Sequence, residues 1–136
     1  MILHTFSDGG ARGNPGPSAI GVVICDPNGN VIREEAECIG DGTNNKAEYR
    51  AMLKALEMAK ALKAKTLLCH GDSELIIFQL QGIYRIKDAH LKVLAEKVKS
   101  AASAFEAVTW KQVPREHPMI ARADKLLNQA LNRANL

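Results

Sequence analysis

Four acidic residues stand where chemistry would need them. Asp8 closes an apolar run, ILHTFSD, and is followed by a stretch dense in glycine and proline, GGARGNPGP. Asp72 closes a second apolar run, TLLCHGD, ahead of SELIIFQLQG. Ligands in α/β sheets sit at the carboxyl ends of strands, so two carboxylates at such ends meet if their strands are parallel neighbours. Each also has an ordinary alternative: Asp72 as the N-cap of the segment behind it, and Asp8 as a turn former before glycines.

The other two lie in segments of helical period. Glu48 shares a face with Met52 and Leu56. Its spacing from Asn45, N-x-x-E, equally fits a capping box. Asp124 falls on the apolar stripe Ile120, Leu127, Leu131 and Ala134 of the last helix. Burying an unpaired charge is costly, and Arg122 and Lys125 project from other sides of that helix. A basic partner from elsewhere, a raised pKa or a cation must compensate it. Gathered together, four carboxylates would repel one another, and a divalent cation is the physical remedy. Oxygen-only donors select hard ions, Mg²⁺ or Mn²⁺ rather than zinc. Two such ions ~3.5–4 Å apart suit the hydrolysis of a phosphodiester.

The elements that must carry these residues follow from periodicity. ILHTFSD and SAIGVVICD read as strands, with GGARGNPG as a tight turn behind Asp8. The turn DPNGN at 26–30 leads into a third strand, NVIREEAECIG, whose alternating Arg33, Glu35 and Glu37 predict one exposed face at a sheet edge. A helix follows, with Tyr49, Met52, Leu53, Leu56 and Ala59 inward and Asn44 or Asn45 as its cap. The remainder reads as a strand at 66–72, a short helix at 73–82, a helix at 88–105, a strand at 107–113 and a closing helix. The order βββαβααβα suits a mixed sheet with helices on its faces.

Composition narrows the class. The 136 residues are 46% hydrophobic and 24% charged, enough for one domain with its own core and unlike a disordered chain. A net charge of +3 is only a slight lean toward polyanions. Cys25, Cys38 and Cys69 have no C-x-x-C spacing, which speaks against a disulfide framework and a zinc site. No apolar run reaches the ~18 residues of a membrane span. The opening MILHTF has neither a basic region nor a cleavage site, so a cytoplasmic protein is expected, and no oligomer seam argues against a monomer. GGARGNPG also fails the G-x-G-x-x-G and G-x-x-x-x-G-K-[ST] phosphate-loop patterns.

Together, SDGGARGNPGPSAIGVVI, GTNNKAEYRAMLKALEMA, GDSELI and ARADKLLNQAL resemble ribonuclease H of type 1, the endonucleases that cut the RNA strand of RNA/DNA hybrids. The matching pieces run from end to end in the family's order. The resemblance implies one catalytic domain, residues 1–136, with an α/β fold: a five-stranded mixed sheet, its first three strands antiparallel, helices on both faces. It implies that Asp8, Glu48, Asp72 and Asp124 hold two Mg²⁺ ions once substrate is bound, with Mn²⁺ as a substitute, and that products carry 5′-phosphate and 3′-hydroxyl ends. It places Gly9, Gly10 and Asn14 against the RNA strand, Asn44 and Asn45 against the hybrid, and Thr43 on a DNA-strand phosphate. Amide side chains both donate and accept, which suits 2′-hydroxyls. A same-fold nuclease acting also on duplex RNA, and a non-catalytic hybrid-binding module, are the competing readings; all four carboxylates being present disfavours the second.

The chain departs from the family's pattern twice. The basic, Trp-rich protrusion of many members is missing: Gly82-Ile-Tyr-Arg-Ile-Lys87 passes straight into the next helix. Arg85, Lys87, Lys92, Lys97 and Lys99 are the candidates to replace it, against the plainer reading of a solvated helix face. In VPREHPMI, Pro114 stands where well-studied members carry a proton-shuttling histidine. Arg115 and His117 are the candidates there: an arginine to orient product phosphate, a histidine to exchange protons. His4, His70 and His90 lack metal spacing and read as structural or surface residues.

Overall fold

A computed structural model of the chain describes residues 1–136. Three strands open it: β1 (Ile2–Ala11), β2 (Gly16–Cys25) and β3 (Val31–Gly42). Helix α1 (Asn44–Ala61) crosses to β4 (Thr66–Gly71), and α2 (Glu74–Leu80) and α3 (Ala89–Ala102) lead to β5 (Ala107–Gln112). Helix α4 (Pro118–Arg133) ends the order. The strands form one sheet in the order β3-β2-β1-β4-β5. β1 pairs antiparallel with β2, and β2 with β3; β4 lies parallel to both β1 and β5.

The β-branched run of β2 suits its interior place between β3 and β1. Ser18 through Cys25 are all buried, as a strand covered on both faces must be. Helices α1, α2 and α3 cover one face, where Tyr49, Met52, Leu56, Ile76 and Val98 meet Val22, Ile24, Leu67 and Cys69. The other face carries α4, with Ile120 and Ala123 against Phe6 and Val23, and Leu127 and Leu131 against Ala19. No helix is long and apolar enough to cross a membrane. All three cysteines are free thiols, Cys25 and Cys69 buried and Cys38 exposed.

Several local expectations change. β1 does not stop at Asp8; it continues through Gly9, Gly10 and Ala11, which pair with Ile20, Ala19 and Ser18. The turn proper is short, closed by the Arg12 N–H donating to the Pro17 carbonyl at 2.8 Å. β3 is exposed on both faces rather than one. Polar contacts tie it to its flanking helices: Glu35 and Glu37 pair with Lys54 of α1 at 3.4 and 3.8 Å and Glu34 with Arg122 of α4 at 2.6 Å, while Arg50 Nη1 of α1 donates to the Ile39 carbonyl at 3.0 Å and Cys38 Sγ to the Ala130 carbonyl of α4 at 3.4 Å. The α1 cap is Thr43, whose hydroxyl accepts the Lys46 N–H at 3.2 Å, not Asn44 or Asn45. His70 is indeed structural. It is buried, its ring stacks on Phe6 with centroids 4.3 Å apart, and its Nδ1 lies 3.0 Å from the Thr5 carbonyl. Burial pushes its pKa down to about 4, so it is a neutral ring donating Nδ1–H to that oxygen.

Candidate active site

β1 and β4 part company just before Asp8. Their last parallel pair is Phe6 with His70, while β1 runs on beside β2. β1 is also where the topology switches, with a hairpin neighbour on one side and a crossover neighbour on the other. The carboxyl end of such a switch is an open crevice. Asp8 stands in it, and Asp72 follows the last residue of β4.

Two glycines let the flanking helices close on that crevice from opposite faces. A Cβ at Gly9 would lie 2.3 Å from the Ala47 carbonyl and 2.6 Å from the Glu48 nitrogen. Its absence lets the α1 backbone sit directly on β1, and the Gly9 N–H donates to Glu48 Oε1 at 3.1 Å. A Cβ at Gly21 would lie 2.1 Å from the Ala123 carbonyl oxygen. Gly21 is the β2 partner of Asp8, so α4 is pressed onto the sheet at the register that delivers Asp124.

The bland roles of the carboxylates are taken by other residues. Ser73, not Asp72, caps α2, its hydroxyl accepting the Ile76 N–H at 3.3 Å. With Thr43 as cap, Glu48 lies too far into α1 for a capping box and turns to Gly9 instead. Arg122 is bound to Glu34, which leaves Asp124 with an amide neighbour: Asn128 Nδ2 donates to Asp124 Oδ1 at 3.2 Å.

Asp8, Glu48 and Asp72 each bring an oxygen within 4.8 Å of the others. Asp124 lies outside that triplet but close enough to Asp8 to help raise its pKa. All four line one open cavity of about 410 Å³. Arg115 at the rim compensates the charge only in part. Burial, and then the neighbouring Glu48 carboxylate, hold the Asp8 carboxyl far above its usual range. Burial raises Glu48 to about 7. Asp72 is also raised, burial again leading, although the Arg115 guanidinium pulls it back. A dense set of hard oxygen donors that hold protons near neutrality, for want of sufficient positive charge, fits a hard divalent cation.

Gly9, Gly10, Asn44 and Asn45 line the same cavity, and so does Arg115. Asn14, Thr43 and His117 do not. Asn14 Oδ1 accepts the Asn44 N–H at 3.0 Å, and Asn44 Oδ1 accepts the Ala11 N–H at 2.8 Å, tying the hairpin to the start of α1. Thr43 is occupied as the cap. His117, the candidate to exchange protons, stands as the cap of α4. Its Nδ1 accepts the Met119 N–H at 3.1 Å, and its ring stacks on Phe6 at 4.9 Å, one strand repeat before Asp8. Sequence reasoning missed Arg12, Ser73 and Asn128 in the cavity wall. Only Asn128 had a signal, one helical turn after Asp124.

Known proteins resemble the chain in sequence and in fold. Residues 6–130 match the family model described as reverse transcriptase-like. Ribonuclease HI of Caulobacter vibrioides is 31% identical over 96% of this chain and 93% of its own length. The chain belongs to the ribonuclease H family. Ribonuclease HI of Halobacterium salinarum is 36% identical over 97% of this chain. The crystal structure of RNase H1 from that archaeon superposes with a TM-score of 0.94, at 35% identity, over 98% of this chain and 99% of the crystallised one. LC11-RNase H1 in complex with an RNA/DNA hybrid gives 0.92 at 40% identity, covering 98% and 99%. The chain spans 65% of the length of the Halobacterium relative and 36% of mycobacterial ones.

Proposed function

We propose that the chain is a metal-dependent endonuclease that hydrolyses the RNA strand of RNA/DNA hybrids, working as a monomeric catalytic domain in the cytoplasm. The convergence of Asp8, Glu48, Asp72 and Asp124 on one cavity carries the reading. It is supported by the family and by the hybrid bound to LC11-RNase H1.

Asp8, Glu48 and Asp72 would hold the first Mg²⁺, and Asp8 with Asp124 a second. Ions bound there would supply Lewis-acid stabilisation of both the attacking and departing oxygens of the phosphodiester. The protein's own groups do the positioning. Gly9 and Gly10 present bare backbone to the RNA strand. Asn44 spends its carbonyl oxygen on Ala11 and so turns its amide N–H groups outward, as donors for a 2′-hydroxyl. Asn45 faces the same cavity, and Asn14 holds Asn44 in place. Arg115, at the rim beside Asp72, supplies fixed positive charge to product phosphate. Thr43 stands where the α1 N-terminus meets a DNA-strand phosphate.

The test compares labelled RNA/DNA, RNA/RNA and DNA/DNA duplexes with Mg²⁺ or Mn²⁺, using wild type and Asp72→Asn. Cleavage of the hybrid's RNA strand, lost in the variant, is expected. Cleavage that survives Asp72→Asn would refute the assignment, and equal cleavage of RNA/RNA would widen the substrate class.

A further inference from the structure

Arg12 stands in the β1–β2 turn, far along the chain from α4, yet its guanidinium is spent on that helix. Its Nη2 donates to Asn128 Oδ1 at 3.2 Å and to the Asn128 carbonyl at 3.3 Å. Its Nη1 donates to the main-chain oxygen of the last residue, Leu136. From its other side Asn128 turns to Asp124: its Nδ2 donates to the Asp124 carbonyl at 3.0 Å and to Oδ1 at 3.2 Å. Arg12, Asn128 and Asp124 share one cavity wall.

A side-chain amide has two ends of similar shape and opposite hydrogen-bonding sense. Here its neighbours decide which end goes where. A guanidinium can only donate, so the amide oxygen must face Arg12. The NH₂ is then the end presented to Asp124, where an acceptor waits. Reversing the amide would set N–H against N–H at one end and oxygen against oxygen at the other. Asp124 is the carboxylate that stands outside the close triplet, so its contribution depends most on how its side chain is aimed.

We propose that Arg12 and Asn128 are positioning residues that act as a unit, Arg12 fixing the sense of the Asn128 amide and Asn128 in turn holding Asp124 toward Asp8. The inference rests on the metal-site reading above. It assigns the hairpin arginine to the aim of a metal ligand rather than to contact with a substrate phosphate, which is the other role an exposed arginine at this rim would have.

The experiment measures Mn²⁺ binding to the substrate-free protein by calorimetry, alongside the Mn²⁺ dependence of cleavage and the KM for hybrid at saturating Mn²⁺. Arg12→Ala and Asn128→Ala are each expected to raise the half-saturating Mn²⁺ concentration about tenfold, the lower end for loss of an outer partner of a metal ligand. The double variant should be no worse than the poorer single, since the two act in series. Arg12→Lys keeps a donor-only group facing Asn128 and should stay within about threefold of wild type. Four results would overturn the proposal: unchanged Mn²⁺ binding in Arg12→Ala, additive losses in the double variant, a loss in Arg12→Lys equal to that in Arg12→Ala, or an effect confined to the hybrid KM. Each presupposes a wild type that binds Mn²⁺. A wild type that binds none refutes the metal site itself, a distinct failure.

Discussion

At Asp8 the protein accepts a local penalty. A carboxylate held beside Glu48 and largely out of water favours its protonated form, and Glu48 is raised to about 7 for the same first reason, burial. Between the ordinary carboxylate range and these raised values the metal-free native state binds more protons than the unfolded chain. Its stability therefore falls as pH rises. The metal-free protein is expected to lose melting temperature from about pH 5 to about pH 8, and Mg²⁺ to restore it at the alkaline end by binding only the native state. Asp8→Asn removes the repulsion. In EDTA at pH 8 it should melt a few degrees above wild type, a gain of about 1 kcal/mol, while cleavage is abolished. A melting curve that is flat with pH in EDTA would contradict the assigned cluster. His70 acts in the opposite direction: its pKa is lowered to about 4 by burial, so its contribution is lost as pH falls below the ordinary histidine value. The two loop candidates separate at this scale as well. His117→Ala deletes a helix cap and should cost about 1 kcal/mol of stability with little change in rate. Arg115→Ala should leave melting unchanged and slow cleavage, because its guanidinium is exposed at the rim and its identified partner is Asp72. An unchanged rate in both variants would leave product phosphate to other groups.

Elements were legible where periodicity speaks and opaque where backbone approach decides. The five strands and four helices follow from alternation, the 3.6-residue stripe and turn chemistry, and their order is the one observed. Asp124 on an apolar stripe was readable as a charge needing company. By contrast, GGARGNPG reads as a turn because glycine usually marks one. Here Gly9 and Gly10 are strand residues, and Gly9 is small because α1 lies on it. No pattern in a single chain announces that approach, since it forms between segments nearly forty residues apart. The caps show the same limit. Thr43 and Ser73 each sit one position from a residue equally able to cap, and tertiary demand decides: Asn44 is needed by Ala11, and Asp72 by the crevice. Gly21 permits a direct check. A methyl group there meets the Ala123 carbonyl at 2.1 Å, backbone against backbone, with no flexible side chain to yield. Gly21→Ala should destabilise the fold by about 1–3 kcal/mol, the usual cost of overpacking. It should also lower kcat more than it raises the hybrid KM, because the displaced helix carries Asp124. A variant with wild-type melting and wild-type kcat would show that α4 is not held by that close approach.

Across the whole molecule, charge is segregated. The β3 edge carries Glu34, Glu35 and Glu37, all exposed and all engaged with Lys54 or Arg122. The α2–α3 connection and α3 carry Arg85, Lys87, Lys92, Lys97 and Lys99, all exposed and none in an ion pair. This basic side offers point charges on a short loop and one helix. Phosphate neutralisation by such groups releases counterions, so affinity should follow salt steeply: log K falls against log salt with a slope of about −0.7 to −0.9 for each phosphate engaged. Binding is best measured with Asp72→Asn, which leaves these groups in place and prevents cleavage. The dissociation constant for a hybrid should weaken by at least about tenfold between ~50 and ~200 mM salt. Replacing Lys92 and Lys99 together by Ala should make the slope shallower by about one for each phosphate that is no longer neutralised. It should weaken RNA/DNA and RNA/RNA duplexes alike, since phosphates carry no information about the sugar. If the slope is unchanged, those lysines belong to a solvated helix face, and the hybrid is gripped by the crevice alone.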